Sequence, residues 1–189
     1  MKSSPLASHL SFLGFFLGSH HTSCRKGLAL SLLPALLILL QTAPAVAQTT
    51  NWTWNGGGSS TNLNVGANWT NGTAPANSTS ALWVFGSTNT QGSLTLFNNF
   101  TADQIVGGIT FNAGALAYII NGNSINLSGN IINNSTNLQT LGTAFVLTGN
   151  RTITTTSGGG NFLFNGDISG AFNLTFGGTG TTTLTAANT

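Results

Sequence analysis

Between Gln48 and Thr189 the chain contains no Lys, Glu, His or Cys. Apart from Tyr118, the ionisable side chains of that stretch are Asp103, Arg151 and Asp167. General acid–base, nucleophilic and metal-assisted catalysis draw on tuned His, Glu, Asp, Lys or Cys side chains. A segment lacking most of them points to architecture rather than to an enzyme, and it gives no residue to assign as catalytic, cofactor-binding or metal-binding. Without cysteine, a secreted domain must be held by hydrogen bonds and core packing alone. One Arg against two Asp makes this stretch net −1, so the formal +2 of the whole chain belongs to the first 47 residues. There is no basic stripe to neutralise phosphates, which excludes nucleic acid as a partner. Nor is any segment after Ala47 long and apolar enough to read as a membrane-spanning helix.

The missing basic residues and histidines lie in the leader. Lys2, Arg25 and Lys26 form a positive region, Gly27 to Leu40 is a 14-residue apolar run containing Pro34, and Ala45-Val46-Ala47 is an A-x-A cleavage site. This is the layout of an export signal over residues 1–47, too short in its apolar part for a comfortable membrane span. Cys24 precedes the main apolar run and does not make a lipoprotein site.

What remains is Asn, Thr, Ser and Gly interleaved with Ile, Leu, Val and Phe. Apolar residues alternate in short runs, as half-buried strands require: Leu94-Thr-Leu96, Ile109-Thr-Phe111, Ile125-Asn-Leu127, Phe145-Val-Leu147, Phe162-Leu-Phe164 and Leu174-Thr-Phe176. Helix formers are scarce, and Gly and Asn interrupt the chain every few residues. An all-β fold is expected. Residues 48–104 carry all four tryptophans (Trp52, Trp54, Trp69, Trp83) and read as an irregular N-terminal cap. Their rings suit either a cap core or a sugar-stacking platform, with the core favoured.

Residues 105–189 contain a repeat. Leu127-Ser-Gly129-Asn130-Ile131 is echoed by Leu147-Thr-Gly149-Asn150-Arg151, and a third copy is read at Phe164-Asn-Gly166-Asp167-Ile168. Gly tolerates positive φ and Asn or Asp bonds the local backbone, so each copy ends a strand in a turn. A period near twenty fits one coil of a solenoid, in which each rung buries its apolar residues against its neighbours. The expected architecture is a right-handed parallel β-helix whose equivalent residues stack at about 4.8 Å. Charge repeated in register would repel its own copies, whereas Asn and Thr both donate and accept hydrogen bonds. The pattern stops at Asn188-Thr189 without a visible cap, as expected of a piece of a longer array.

The stretch Asn173-Leu-Thr-Phe-Gly-Gly-Thr-Gly-Thr-Thr-Thr-Leu-Thr-Ala-Ala-Asn-Thr189 resembles the autotransporter-associated β-strand repeat. Phe176 stands where that family commonly has Lys, Ala187 replaces a residue near the usual Gly, and the closing Tyr-x-Gly-Gly-Thr part is missing. Upstream, Trp54-Asn-Gly-Gly-Gly, Ala67-Asn-Trp69, Gly72-Thr-Ala-Pro75 and Val84-Phe85-Gly86 are similar to the region preceding such repeats. The resemblance implies a parallel β-helix, export from a Gram-negative-type bacterium, and a secreted or cell-surface role. Neither the membrane barrel nor the sorting tail of family members is present.

Other chemistry is weak in this sequence. Asp103 and Asp167 stand 64 residues apart without a supporting His or Glu, so they do not read as a glycosidase pair, and two scattered aspartates do not make a calcium site. Asp167 reads as a turn residue equivalent to Asn130 and Asn150, with Arg151 as its expected partner on the neighbouring rung. Gly158-Gly-Gly160 and Gly177-Gly-Thr-Gly180 lack the helix and Lys of a phosphate loop. Asn-x-Ser/Thr triplets such as Asn68-Trp-Thr70 follow from composition. The expected function is a non-enzymatic structural stalk or adhesin-like segment, with surface polysaccharide or a host or neighbouring cell surface as partner and the oligomeric state open. The alternatives are a carbohydrate-binding module using the tryptophans and a non-catalytic piece of a β-helix polysaccharide-degrading enzyme.

Overall fold

The structure, a computed structural model, describes residues 49–156 and 158–189. The leader expected over residues 1–47 lies outside the described residues. The described chain is all-β apart from a single 3-10 turn at Gly66–Asn68. Its strand pairs are parallel throughout and stack as a β-solenoid of about four turns.

Each coil contributes to two faces. On the first face, β1 (Thr50–Thr53) pairs with β2 (Ser78–Phe85), and β2 with β4 (Gln104–Phe111). In later rungs this long strand is split by a corner into β6 (Ile125–Leu127) with β7 (Ile131–Asn133), β9 (Phe145–Leu147) with β10 (Arg151–Thr155), and β12 (Ile168–Ser169) with β13 (Leu174–Gly178). The second face runs through β3 (Thr95–Asn98), β5 (Ile119–Gly122), β8 (Gln139–Leu141), β11 (Phe162–Phe164) and β14 (Thr182–Leu184). The ladder thus includes β2 and β3, and the boundary expected at 104/105 falls where β4 begins.

The two-residue alternation supplies the core, because every second side chain points inward and stacks on its equivalent one rung away. Val106, Leu127 and Leu147 form one inward column, and Ile109, Ile131 and Ile153 another. Leu96, Ile120, Leu141 and Phe164 form a third from the second face. All of these are buried. Aromatic rings continue along the axis, with Phe85 stacked on Phe111 at 5.2 Å and Phe111 edge-on to Phe162 at 6.0 Å.

Asparagine works chiefly at the corners, tying one rung to the next. Asn77 Oδ1 accepts the Ile105 N–H at 2.6 Å, Asn130 Oδ1 the Thr152 N–H at 2.9 Å, Asn150 Oδ1 the Asn173 N–H at 3.0 Å, and Asn161 Oδ1 the Thr181 N–H at 2.8 Å. These bonds satisfy backbone amides just before or at the second residue of a strand.

The third repeat copy is in a different register from the one expected. Phe164 pairs with Leu141 on the second face, so Asn165-Gly166-Asp167 is the corner leading back to the first face. In the ladder Asn173 lies beside Asn150, since Arg151 pairs with Leu174, whereas Asn130 lies beside Thr152, since Ile131 pairs with Ile153. Both corners need the same turn chemistry, a Gly with an Asn or Asp, and the local motif does not distinguish them.

Tyr118 is buried against Phe85 and Phe111 at 5.3 and 6.4 Å. Its hydroxyl donates to the Gly86 and Thr88 carbonyls at 2.9 and 3.3 Å. Burial pushes its pKa up from 10.0 to about 12. The folded chain keeps this proton where the unfolded chain releases it, so the contribution is intact below about pH 10 and is lost as pH rises through about 12. Urea unfolding midpoints between these pH values are expected to fall, and Tyr118→Phe is expected to flatten that decline. An equally steep decline in the variant would place its origin elsewhere.

Candidate functional site

The sequence assigns no catalytic, cofactor-binding or metal-binding residue, and its charged side chains beyond residue 48 are Asp103, Arg151 and Asp167. Gln104, Ile125, Phe145 and Ile168 are in register, so the residues preceding them, Asp103, Ser124, Ala144 and Asp167, occupy one corner column. The two aspartates therefore share a column but stand three rungs apart, about 14 Å at the strand spacing. That exceeds the separation of about 5–9.5 Å at which two carboxylates flank a glycosidic bond.

Each aspartate has a structural role at its corner. Asp103 has a φ of 63° and is the described non-glycine residue in the left-handed region, which Asp tolerates better than most side chains. Its carboxylate accepts the Ser124 hydroxyl at 2.6 Å, and its N–H donates to the Ser124 carbonyl at 3.0 Å. The Asp167 carbonyl accepts the Phe145 N–H at 2.8 Å. Arg151 does not reach for Asp167. Its guanidinium donates to the Leu127 carbonyl at 3.1 Å, the Asn150 carbonyl at 3.0 Å and the Thr148 hydroxyl at 3.3 Å, bridging the corner beside it. No group of three or more His, Cys, Asp or Glu able to hold a metal occurs among the described residues.

The tryptophans were the candidate sugar-stacking platform. Trp54, Trp69 and Trp83 are at most 1 % exposed. Trp69 lies edge-on to Trp54 at 5.4 Å and packs against Trp83 and Phe85, each at 6.0 Å. Its Nε1–H donates to the Leu63 carbonyl at 2.8 Å, and Trp54 Nε1–H donates to Asn89 Oδ1 at 3.3 Å. These rings close the start of the core, as their large apolar bodies and polar edges favour. Trp52, half-buried, is the remaining ring.

Sequence reading missed a polar cluster at the corner between β7 and β8. Asn133 continues the inward column of Phe111 and is fully buried. Its Oδ1 accepts from the Ser135 N–H and hydroxyl at 3.0 and 2.8 Å, and its Nδ2 donates to the Asn137 and Asn161 carbonyls at 3.0 and 3.2 Å. Buried Gln139 accepts the Tyr118 N–H at 3.0 Å and donates to the Leu116 carbonyl at 2.9 Å. Both amides are engaged on donor and acceptor sides, so the cluster fixes the corner and offers no free group to a ligand. Polar residues at inward parity in Ile131-Ile-Asn133 were the available signal.

The outward face remains. On the second face one column reads Thr95, Ile119, Thr140, Leu163 and Thr183. On the first face Asn130, Thr152 and Thr175 stand next to one another on successive rungs. Phe97, Ile119 and Leu138 are exposed among these hydroxyls and amides. Such a surface offers repeated, uncharged hydrogen bonds and small apolar contacts. Among the described residues, no helix is long and apolar enough to cross a membrane.

The fold and this surface define a parallel β-solenoid with a nearly uncharged exterior that carries many Thr and Asn side chains. No family model, curated protein or solved structure matches the chain.

Proposed function

We propose that the chain is a non-enzymatic β-solenoid exported to the cell surface or beyond, serving as a structural stalk or adhesin-like segment. The observation that carries this reading is the exterior of the stacked rungs. Its polar columns repeat a few weakly hydrogen-bonding groups at strand spacing, and its three charged side chains beyond residue 48 are spent at corners or scattered. Repeated weak contacts gain strength by multivalency, which a rigid array supplies. The export-signal pattern over residues 1–47 and the resemblance to autotransporter-associated repeats support the same reading. The alternative of a carbohydrate-binding module loses its stacking platform, since three of its four tryptophans are core residues.

The test is expression of the full chain in a Gram-negative host. Surface-accessible or released protein beginning at Gln48 is expected, together with adhesion to polysaccharide-coated or cell surfaces. Because the exterior is nearly uncharged, that adhesion is expected to persist at about 0.5 M salt, where the Debye length is only a few ångströms. Unprocessed protein retained inside the cell, or release of sugars from a polysaccharide panel, would count against the reading.

A further inference from the structure

On the second face an exposed aromatic ring stands between two amides. Asn62 bridges Phe97 in parallel register and Phe97 pairs with Asn121, so the three occupy one position on successive rungs, about 4.8 Å apart. Their chain neighbours Leu63, Leu96 and Ile120 are fully buried, so Asn62, Phe97 and Asn121 point outward. Phe97 is 47 % exposed, and both asparagines are partly exposed. Asn62 accepts from Asn68 Nδ2 through its backbone carbonyl, at 2.9 Å. The side-chain amides of Asn62 and Asn121 have no hydrogen-bond partner among the described residues. Asn64 and Asn99 nearby differ, their amides bonding to each other at 2.7 Å.

The surroundings extend this arrangement and restrict its charge. Leu141 pairs with Ile120, which sets Gly142 beside Asn121 on the next rung, and a β-carbon on Gly142 would overlap Asn121 Oδ1. The glycine thus leaves room for the amide. Thr95 pairs with Ile119 and Ile119 with Thr140, so exposed Ile119 and Leu138 run diagonally away from Phe97 in steps of about 8 Å. Thr95 and Thr140 separate these apolar side chains, unlike the contiguous apolar centre of a protein–protein interface. Between Gln48 and Thr189 the sole Lys or Arg is Arg151, whose guanidinium is taken up by oxygens of its own corner. No cation is left to pair with a carboxylate, sulfate or phosphate on a ligand.

We propose that this face binds a neutral polysaccharide, centred on Phe97. The proposal rests on the reading of the chain as an adhesin-like segment and names its ligand class. The Phe97 ring stacks on the apolar C–H face of one sugar unit. The Asn62 and Asn121 amides, one on each side, donate to and accept from its hydroxyls, since an amide carries both functions. Ile119 and Leu138 pack under the following units, and the flanking threonine hydroxyls bond to them. A sugar chain with apolar faces and hydroxyl edges matches this alternation, and an uncharged one leaves no charge unpaired at the contact.

The experiment is binding of the processed protein, or of residues 44–189, which form a compact unit of their own, to immobilised polysaccharides. Dextran, mannan, galactan and β-glucan are the neutral probes, and polygalacturonate and heparin the acidic ones. Binding to a neutral polymer and none to the acidic ones is expected. Phe97→Ala is expected to weaken it about tenfold, and Asn62→Ala and Asn121→Ala about threefold each, while Phe97→Tyr retains it. Thr175→Ala, on the first face, is expected to leave binding unchanged. Circular dichroism checks that each variant folds, and if Phe97→Ala does not, the two asparagine variants decide. Neutral-polymer binding that survives Phe97→Ala and both asparagine changes overturns the site and leaves the adhesin-like reading standing. No binding to any neutral polymer, or equal binding to the acidic ones, overturns the ligand class. The underlying reading fails on different results, retention inside the cell or release of sugars.

Discussion

Trp69→Ala is expected to cost about 3–5 kcal/mol of unfolding free energy, the range for removing a large buried aromatic ring. Trp69 contacts Trp54, Trp83 and Phe85, so it joins the cap loop to the first rung of the ladder. Its loss opens a cavity between these rings and leaves the Leu63 carbonyl without its 2.8 Å donor. Trp69→Phe keeps most of the packing but loses the donor, and is expected to cost about 1–3 kcal/mol. Trp52→Ala, at a half-buried ring with no hydrogen bond from Nε1, is expected to cost least. Urea denaturation followed by circular dichroism checks this order. If Trp52→Ala proved as damaging as Trp69→Ala, the assignment of Trp69 to the centre of the cap core would be wrong.

The second large effect is expected at Gly122. Its φ is +113°, and it lies in β5 directly against Asn98 of β3. A β-carbon there would overlap the Asn98 carbonyl oxygen and lie 2.8 Å from the Asn98 nitrogen. Backbone strain and overlap act together, and Gly122→Val is expected to cost about 3 kcal/mol, or roughly 10 °C in Tm. Gly114, with a φ of +81° and nothing within 4 Å of a β-carbon, separates the two causes. Gly114→Ala meets strain alone and is expected to cost about 1 kcal/mol. Thermal unfolding of the two variants side by side is the check, and equal losses would show that rung contact at Gly122 contributes nothing.

The strands were legible because alternation of apolar and polar residues survives in each short run, from Ile109-Thr-Phe111 to Phe162-Leu-Phe164. The parallel stacking was legible from the Leu127 and Leu147 copies, whose spacing of twenty residues is the true register between β6 and β9. Coil length then varies, because corners absorb insertions: Ile131 pairs with Ile153 and Phe145 with Ile168. The third copy was misplaced at Phe164 because the Gly-Asn/Asp motif also marks the other corner, which follows the second face. The shared column of Asp103 and Asp167 was hidden for the same reason. So was the pairing of Arg151, whose oxygen partners are mostly backbone carbonyls that carry no signature in a sequence. The burial of Trp54, Trp69 and Trp83 followed from their size and apolar character. The Asn133–Gln139 cluster was missed, although the inward parity of Asn133 with Ile131 marks it for burial, because its hydrogen-bond partners across the corner carry no sequence signature.

Parallel stacking of successive rungs is tested most directly by a distance along one outward column. Thr140 pairs with Leu163, and Leu163 with Thr183, so Thr140 and Thr183 lie two rungs apart on the second face. Spin labels on cysteines at these two positions in residues 44–189 are expected to show strong dipolar coupling at roughly 10 Å, twice the strand spacing. A separation beyond about 20 Å would contradict the stacked arrangement, since in a parallel ladder positions two strands apart lie about 9.6 Å from each other.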